Sequence, residues 1–213
     1  MSKGRIAAKA ALWIICLAPA ARLGWGALHP ESNILGVNPV QYLLWAFGWW
    51  ALLWLTLTLA LTPLRRLTGW GWLQRFQRPL GLFAFAYAGL HFLTYALLDQ
   101  AGAWGQIPRD LVKRPFIVVG MLTFLILLAL ALTSTKGWQK RLRLNWKRLH
   151  RFIYLAAILA VIHFAWKEKV GWKAPRVLLF ASAVGLLLLF RLVTATIGTG
   201  RRTRTKSAPT PGA

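Results

Sequence analysis

The chain has 213 residues, of which 57% are hydrophobic and 13 are tryptophan, against four acids and a formal net charge of +23. That composition belongs to a membrane protein: the apolar, aromatic-rich runs are too long for a base-stacking platform, which excludes the nucleic-acid binding that so basic a soluble chain would suggest. The single cysteine, Cys16, excludes an internal disulfide.

Six apolar runs follow in order. The first, Ala10 to Leu28, comes after Lys3, Arg5 and Lys9 and is interrupted by Pro19 and Arg22. It reads either as a span or as a cleaved signal peptide ending in the small-residue triplet Ala18-Pro19-Ala20. Pro and Asn residues mark the next stretch as a loop, in which His29 is expected to be solvated. Val40 to Thr62 is the second span, expected to stop at Pro63, with Arg65 and Arg66 anchoring its end among headgroups. The third, Leu80 to Leu98, carries His91, and a Gly- and Pro-containing connector leads to the fourth, Phe116 to Thr133. A basic segment, Lys136 to Arg148, enters the fifth, Leu149 to Trp166, which has His150 at its start and His163 near its end. Val177 to Val193 is the sixth, with Arg191 expected to snorkel toward the nearer membrane face.

The expected fold is therefore an all-α membrane bundle of six transmembrane helices. Residues 1–9 form a basic N-terminus, 10–195 the membrane domain, and 196–213 a basic, then Ser/Pro/Gly-rich tail expected to lack structure. No internal repeat stands out. With both termini cytoplasmic, eighteen cations fall in inner segments and seven in outer ones, as the positive-inside rule requires. The four acids, Glu31, Asp99, Asp110 and Glu168, then all lie outside. That leaves no carboxylate in the bilayer for a proton or sodium relay.

An ionisable side chain at membrane depth is a functional-site candidate. Counted at about 1.5 Å per residue, His91 lies about 18 Å and His163 about 21 Å from the inner boundary. Two imidazoles at one depth on two helices have the geometry that clamps a haem iron from both faces. Ala84 and Ala88, on the face of His91, leave room for a flat ring. Without a CxxCH motif such a haem is b-type. The bland alternative is that each histidine hydrogen-bonds a neighbouring helix.

His150 lies thirteen residues before His163, roughly 140° around the helix, so the two do not share a face. It reads either as an interfacial histidine among Lys147, Arg148 and Arg151 or as a contact to a second haem or a flavin. Arg78, thirteen residues before His91 and just ahead of the third span, is level with His150 and is a further candidate for cofactor binding.

The segments NPVQYLLWAFGWWALLWLTLTLALTPLRR, RPLGLFAFAYAGLHFLTY, KRPFIVVG, LALTST and NWKRLHRFIYLAAILAVIHFAWKEK resemble the haem-binding membrane subunits of bacterial periplasmic methionine sulfoxide reductase systems, in the ferric-reductase-like transmembrane group. The resemblance covers about residues 36 to 195. It implies a bacterial inner-membrane subunit that takes electrons from the quinone pool or a cytoplasmic flavin reductase. The electrons would pass to a periplasmic molybdenum enzyme that reduces methionine sulfoxide in damaged proteins. By motif, His91 and His163 match the haem histidines and His150 the third histidine of that group. The resemblance also implies flavin mononucleotide (FMN), for which no residue suggests a position.

The residues support the same role independently. No GxGxxG fingerprint follows a predicted strand, so electrons must come from another molecule. With no thiolate pair, metal cluster or acid pair for substrate chemistry, the expected part is that of a non-catalytic electron-transfer subunit of an oxidoreductase. The competing class is a membrane carrier or structural anchor whose histidines are not ligands. Lys167, Lys169 and Lys173, with Arg109, Lys113 and Arg114, form a cationic outer rim. It serves either to steer an acidic partner or to bind headgroups or haem propionates.

Overall fold

The computed structural model describes residues 3–206 except Trp104 and Gln106; the end of the tail, 207–213, lies outside the described residues. The described residues are helical, with short turns between: α1 (Lys3–Leu28), α2 (Pro39–Thr68), α3 (Gln74–Leu93), α4 (Ile107–Lys113), α5 (Pro115–Leu132), α6 (Lys136–Leu142), α7 (Leu144–Leu149), α8 (Phe152–Lys167) and α9 (Pro175–Lys206). Six stretches are long and apolar enough to cross a bilayer: Ile6–Leu28, Pro39–Thr68, Gly71–Asp99, Pro115–Leu132, Leu144–Lys167 and Pro175–Thr196. Each overlaps one of the six expected spans, and several reach further, the third and fifth starting at Gly71 and Leu144 rather than at Leu80 and Leu149. α3 continues through a π-helical turn at Thr94–Asp99, and α9 continues past the expected end of its span to Lys206.

Two helical hairpins, α2/α3 and α5/α8, form the frame. They pack through a core that includes Leu52, Leu55, Leu59, Ala84, Tyr87, Leu127, Ala156, Ala157 and Val161. One end of the bundle, called the rim here, carries the connectors 29–38, 100–114 and 168–174. The other, the far end, carries the turn at Gly71–Leu73 and the short helices α6 and α7.

Prolines inside three spans, Pro19, Pro63 and Pro79, do not end them, and at the first two a side chain from another helix bonds to backbone groups beside the proline. α2 runs through Pro63 rather than stopping there. Pro63 has no N–H for the carbonyl of Leu59, four residues earlier. Arg191 Nη2 donates to that oxygen at 3.0 Å, while Nη1 donates to the Tyr154 hydroxyl at 2.7 Å. Arg191 is thus turned into the bundle rather than snorkelling to its surface. At Pro19 in α1 the buried hydroxyl of Tyr87 enters the helix, donating to the carbonyl of Cys16 (2.7 Å) and accepting from the N–H of Ala20 (2.9 Å). Together with the burial of Cys16 and Leu23, this fastens α1 to α3.

Candidate functional site

The two membrane-depth histidines meet between the hairpins. The ring centroids of His91 and His163 are 6.0 Å apart, with the ring planes at 86°. Each imidazole is fixed by the helix preceding it in its hairpin: His91 Nδ1 lies 2.8 Å from the carbonyl oxygen of Leu44, and His163 Nδ1 lies 2.7 Å from that of Phe116. A carbonyl only accepts, so in both rings Nδ1 carries the proton and Nε2 keeps its lone pair. A backbone carbonyl on one imidazole nitrogen sets the tautomer and orientation of a ring whose other nitrogen binds metal.

A glycine makes each approach close enough. Gly48 and Gly120 lie one turn after the accepting carbonyls, where side chains would stand against the imidazoles. A methyl group at Gly48 would come within 3.1 Å of His91 Nδ1, and one at Gly120 within 2.7 Å of His163 Nδ1 and Cε1. Contacts below about 3.0 Å force a neighbour to move, so the second position is the stricter.

The two arrangements are the same motif displaced by 72 residues: Leu44 to Phe116, Gly48 to Gly120, His91 to His163. The shift also superposes Leu55 on Leu127, Ala84 on Ala156, Ala88 on Ala160 and Phe92 on Phe164. The molecule therefore holds an internal correspondence that the sequence does not advertise, and aligning the chain on its two histidines reveals it.

A cavity of about 290 Å³ opens beside the imidazoles. Ala88 and Ala160, each one turn before a histidine, line it together with Leu52, Leu55, Phe124, Leu127 and Phe164. Ala84 does not, being buried in the core instead. Charged groups enter the lining only at the rim: Asp99, Arg114, Lys167 and Glu168.

Of the four site residues expected from sequence, the structure brings together His91 and His163 and leaves His150 and Arg78 elsewhere. His150 lies at the far end, its Nε2 3.2 Å from the hydroxyl of Thr133 and its ring stacked on Trp146 at 4.1 Å. Trp146 Nε1 donates to the carbonyl of Thr133, so the pair closes the end of α5. Arg78 is exposed on α3. His29 packs against Trp25, the ring centres 3.8 Å apart and the planes tilted by 53°, away from the cavity. The residues that sequence reasoning passed over are Leu44 and Phe116, acting through backbone oxygens, and the two glycines.

The imidazole spacing fits one iron. Two metal–nitrogen bonds of about 2.0 Å, with ~1.2 Å from nitrogen to ring centre at either side, separate the centroids by about 6.4 Å. Among the described residues no group of three or more His, Cys, Asp or Glu side chains gathers to hold a metal ion, so the donor set suits a metal that brings its other ligands with it, as a porphyrin does.

Residues 47–161, more than half the chain, match the family described as ferric reductase like transmembrane component. The chain belongs to the ferric-reductase-like transmembrane family. Among its relatives, the protein-methionine-sulfoxide reductase heme-binding subunit MsrQ of Xanthomonas campestris pv. campestris (strain 8004) is 46% identical over 209 residues, 97% of this chain and 94% of that protein. The subunit of the same name from Xanthomonas oryzae pv. oryzae (strain MAFF 311018) is 45% identical over 189 residues, 87% and 86% of the two chains. That of Caulobacter vibrioides is 41% identical over 199 residues, 93% and 90%. The family match includes Gly48, His91, Gly120 and His150 and ends two residues before His163.

Proposed function

We propose that this chain is the b-type haem subunit of a methionine sulfoxide reductase system and carries electrons across the bacterial inner membrane. The donor is the quinone pool or a cytoplasmic flavin reductase, and the acceptor is a periplasmic molybdenum enzyme that reduces oxidised methionine in proteins. FMN belongs to the same reading. The observation that carries it is the facing pair of imidazoles, each tied through Nδ1 to a carbonyl and each left with Nε2 free.

Haem bound between them supplies a one-electron ferric/ferrous couple. His91 and His163 would hold it from two sides, and the chemistry it would supply there is electron transfer rather than substrate reduction. The Leu44 and Phe116 carbonyls fix the orientation of the two rings, so the protein side of the site would need little rearrangement to hold the group in either oxidation state. Leu52, Leu55, Phe124 and Leu127 give the inner part of the site an apolar wall. Cys16 cannot attach the haem covalently: it is the only cysteine and lies buried against α3 through the Tyr87 contact.

The positive-inside count puts both termini in the cytoplasm, which makes the rim periplasmic. The purified protein is expected to show a low-spin bis-imidazole spectrum and to be reduced by a quinol analogue or by a flavin reductase with its pyridine nucleotide. A protein that remains colourless when expressed with ample haem would favour a carrier or anchor instead. A reporter fused after Ala213 is expected on the cytoplasmic side and one inserted between Asp99 and Pro115 on the periplasmic side. Inverted signals would reverse the direction of transfer.

A further inference from the structure

Haem carries two carboxylates, and a cavity that admits it between two membrane helices has to find them cations, because an unpaired carboxylate in an apolar setting is costly. The cavity body offers none. Leu52, Leu55, Thr123, Phe124 and Leu127 line its deeper part, and every charged lining residue is at the rim. The carboxylate edge of a bound haem can therefore face only the rim.

The four rim charges are not equivalent. Lys167 stands one helical turn beyond His163 on the same face of α8, with Nζ 5.7 Å from the ring centre of Phe116, the residue whose carbonyl holds His163. Lys167 and Arg114 are the two cations among the four, and Asp99 and Glu168 are acids that would repel a carboxylate. Among the described residues Lys167 forms no ion pair. Arg114 sits two residues before Phe116, at the start of α5, and also lines the cavity. The 72-residue shift sharpens the point, since it places Tyr42 opposite Arg114 and Tyr95 opposite Lys167. Both cations belong to the α5/α8 hairpin, and the other hairpin has tyrosines in their places. Lys169 and Lys173, the other lysines of the same connector, are not part of the lining.

Resting on the haem reading above, we propose that Lys167, with Arg114 beside it, binds the haem carboxylates and so fixes the haem with its carboxylate edge toward the rim and the α5/α8 hairpin. This separates Lys167 from Lys169 and Lys173, which remain free to meet headgroups or a protein partner.

The test compares haem with its dimethyl ester, in which both carboxylates are uncharged, in titrations of the full-length apoprotein in detergent followed by the Soret band. The wild-type chain is expected to bind haem at least about tenfold more tightly than the ester, as charge-assisted contacts of this kind should give. Lys167→Met should lose most of that preference while its affinity for the ester stays as in the wild type, which also shows that the variant is folded. Lys167→Arg should restore the preference. An undiminished preference in Lys167→Met, or none in the wild type with both compounds bound by two imidazoles, would overturn the assignment while leaving the haem reading intact. A wild-type chain that takes up neither compound with a bis-imidazole spectrum would overturn the haem reading itself, and the carboxylate assignment with it.

Discussion

In the α2/α3 hairpin the carbonyl of Leu44 holds His91, and Gly48 lets the ring come close; in the α5/α8 hairpin Phe116 and Gly120 do the same for His163. The apolar positions around them also correspond, Ala88 with Ala160 and Leu55 with Leu127. Away from this centre the likeness ends. At the rim, Tyr42 and Tyr95 on one hairpin stand where Arg114 and Lys167 stand on the other. At the far end an exposed Arg78 corresponds to a His150 engaged by Thr133 and Trp146. The middle is symmetric, as the proposed iron with two like ligands would require, and the ends differ, as the proposed asymmetric cofactor and its separate donor and acceptor would require.

The largest effect should come from breaking the shared centre. His91→Ala and His163→Ala are each expected to abolish the bis-imidazole spectrum while membrane insertion is retained, and to do so equally, because each ring is held by the same kind of contact. Soret titration of the two variants measures this. Full loss in one and full retention in the other would mean that the hairpins are alike in shape but not in role.

The glycines test the same likeness more finely. An alanine at Gly120 must displace His163, since its methyl group would lie 2.7 Å from the ring, whereas at Gly48 the corresponding contact of 3.1 Å calls only for a small shift. Strain of about 1–3 kcal/mol is typical of such overpacking, so Gly120→Ala should weaken haem binding about tenfold or more and Gly48→Ala by less. Equal affinities in the two variants would show that the bundle opens at α5/α8 as readily as at α2/α3.

That the two histidines stand level was legible in the sequence, because helical rise converts residue counts into distance and apolar runs mark the spans. So was the separation of His150 from His163, which follows from rotation per residue. The contacts that aim the imidazoles were not legible. A backbone oxygen leaves no mark on residue type, so Leu44 and Phe116 look like any other apolar residue, and Gly48 and Gly120 are two among 18 glycines. The correspondence at 72 residues was hidden because the matched positions are scattered and only the histidines among them are rare. Pro63 was misleading for a related reason. Its effect on α2 depends on Arg191, which lies 128 residues later, and no local rule connects the two.

The smallest effect is expected where the hairpins differ most, at the far end. His150 contributes one hydrogen bond at 3.2 Å and a stack on Trp146, both closing the end of α5 and neither lining the cavity. His150→Ala should therefore cost about 1 kcal/mol of stability, the usual net worth of a single hydrogen bond, and leave the bis-imidazole spectrum unchanged. Thr133→Val should behave alike, and the double variant should cost little more than either alone, because both substitutions remove the same contact. Arg78→Ala, at the corresponding place on α3, removes an exposed side chain and should change neither quantity. Thermal unfolding in detergent and the haem spectrum together decide the matter. If His150→Ala alone emptied the protein of haem, the α5/α8 hairpin would be holding its cofactor from the far end, where α2/α3 has no imidazole to match, and the equivalence of the two histidines at the centre would have to be given up.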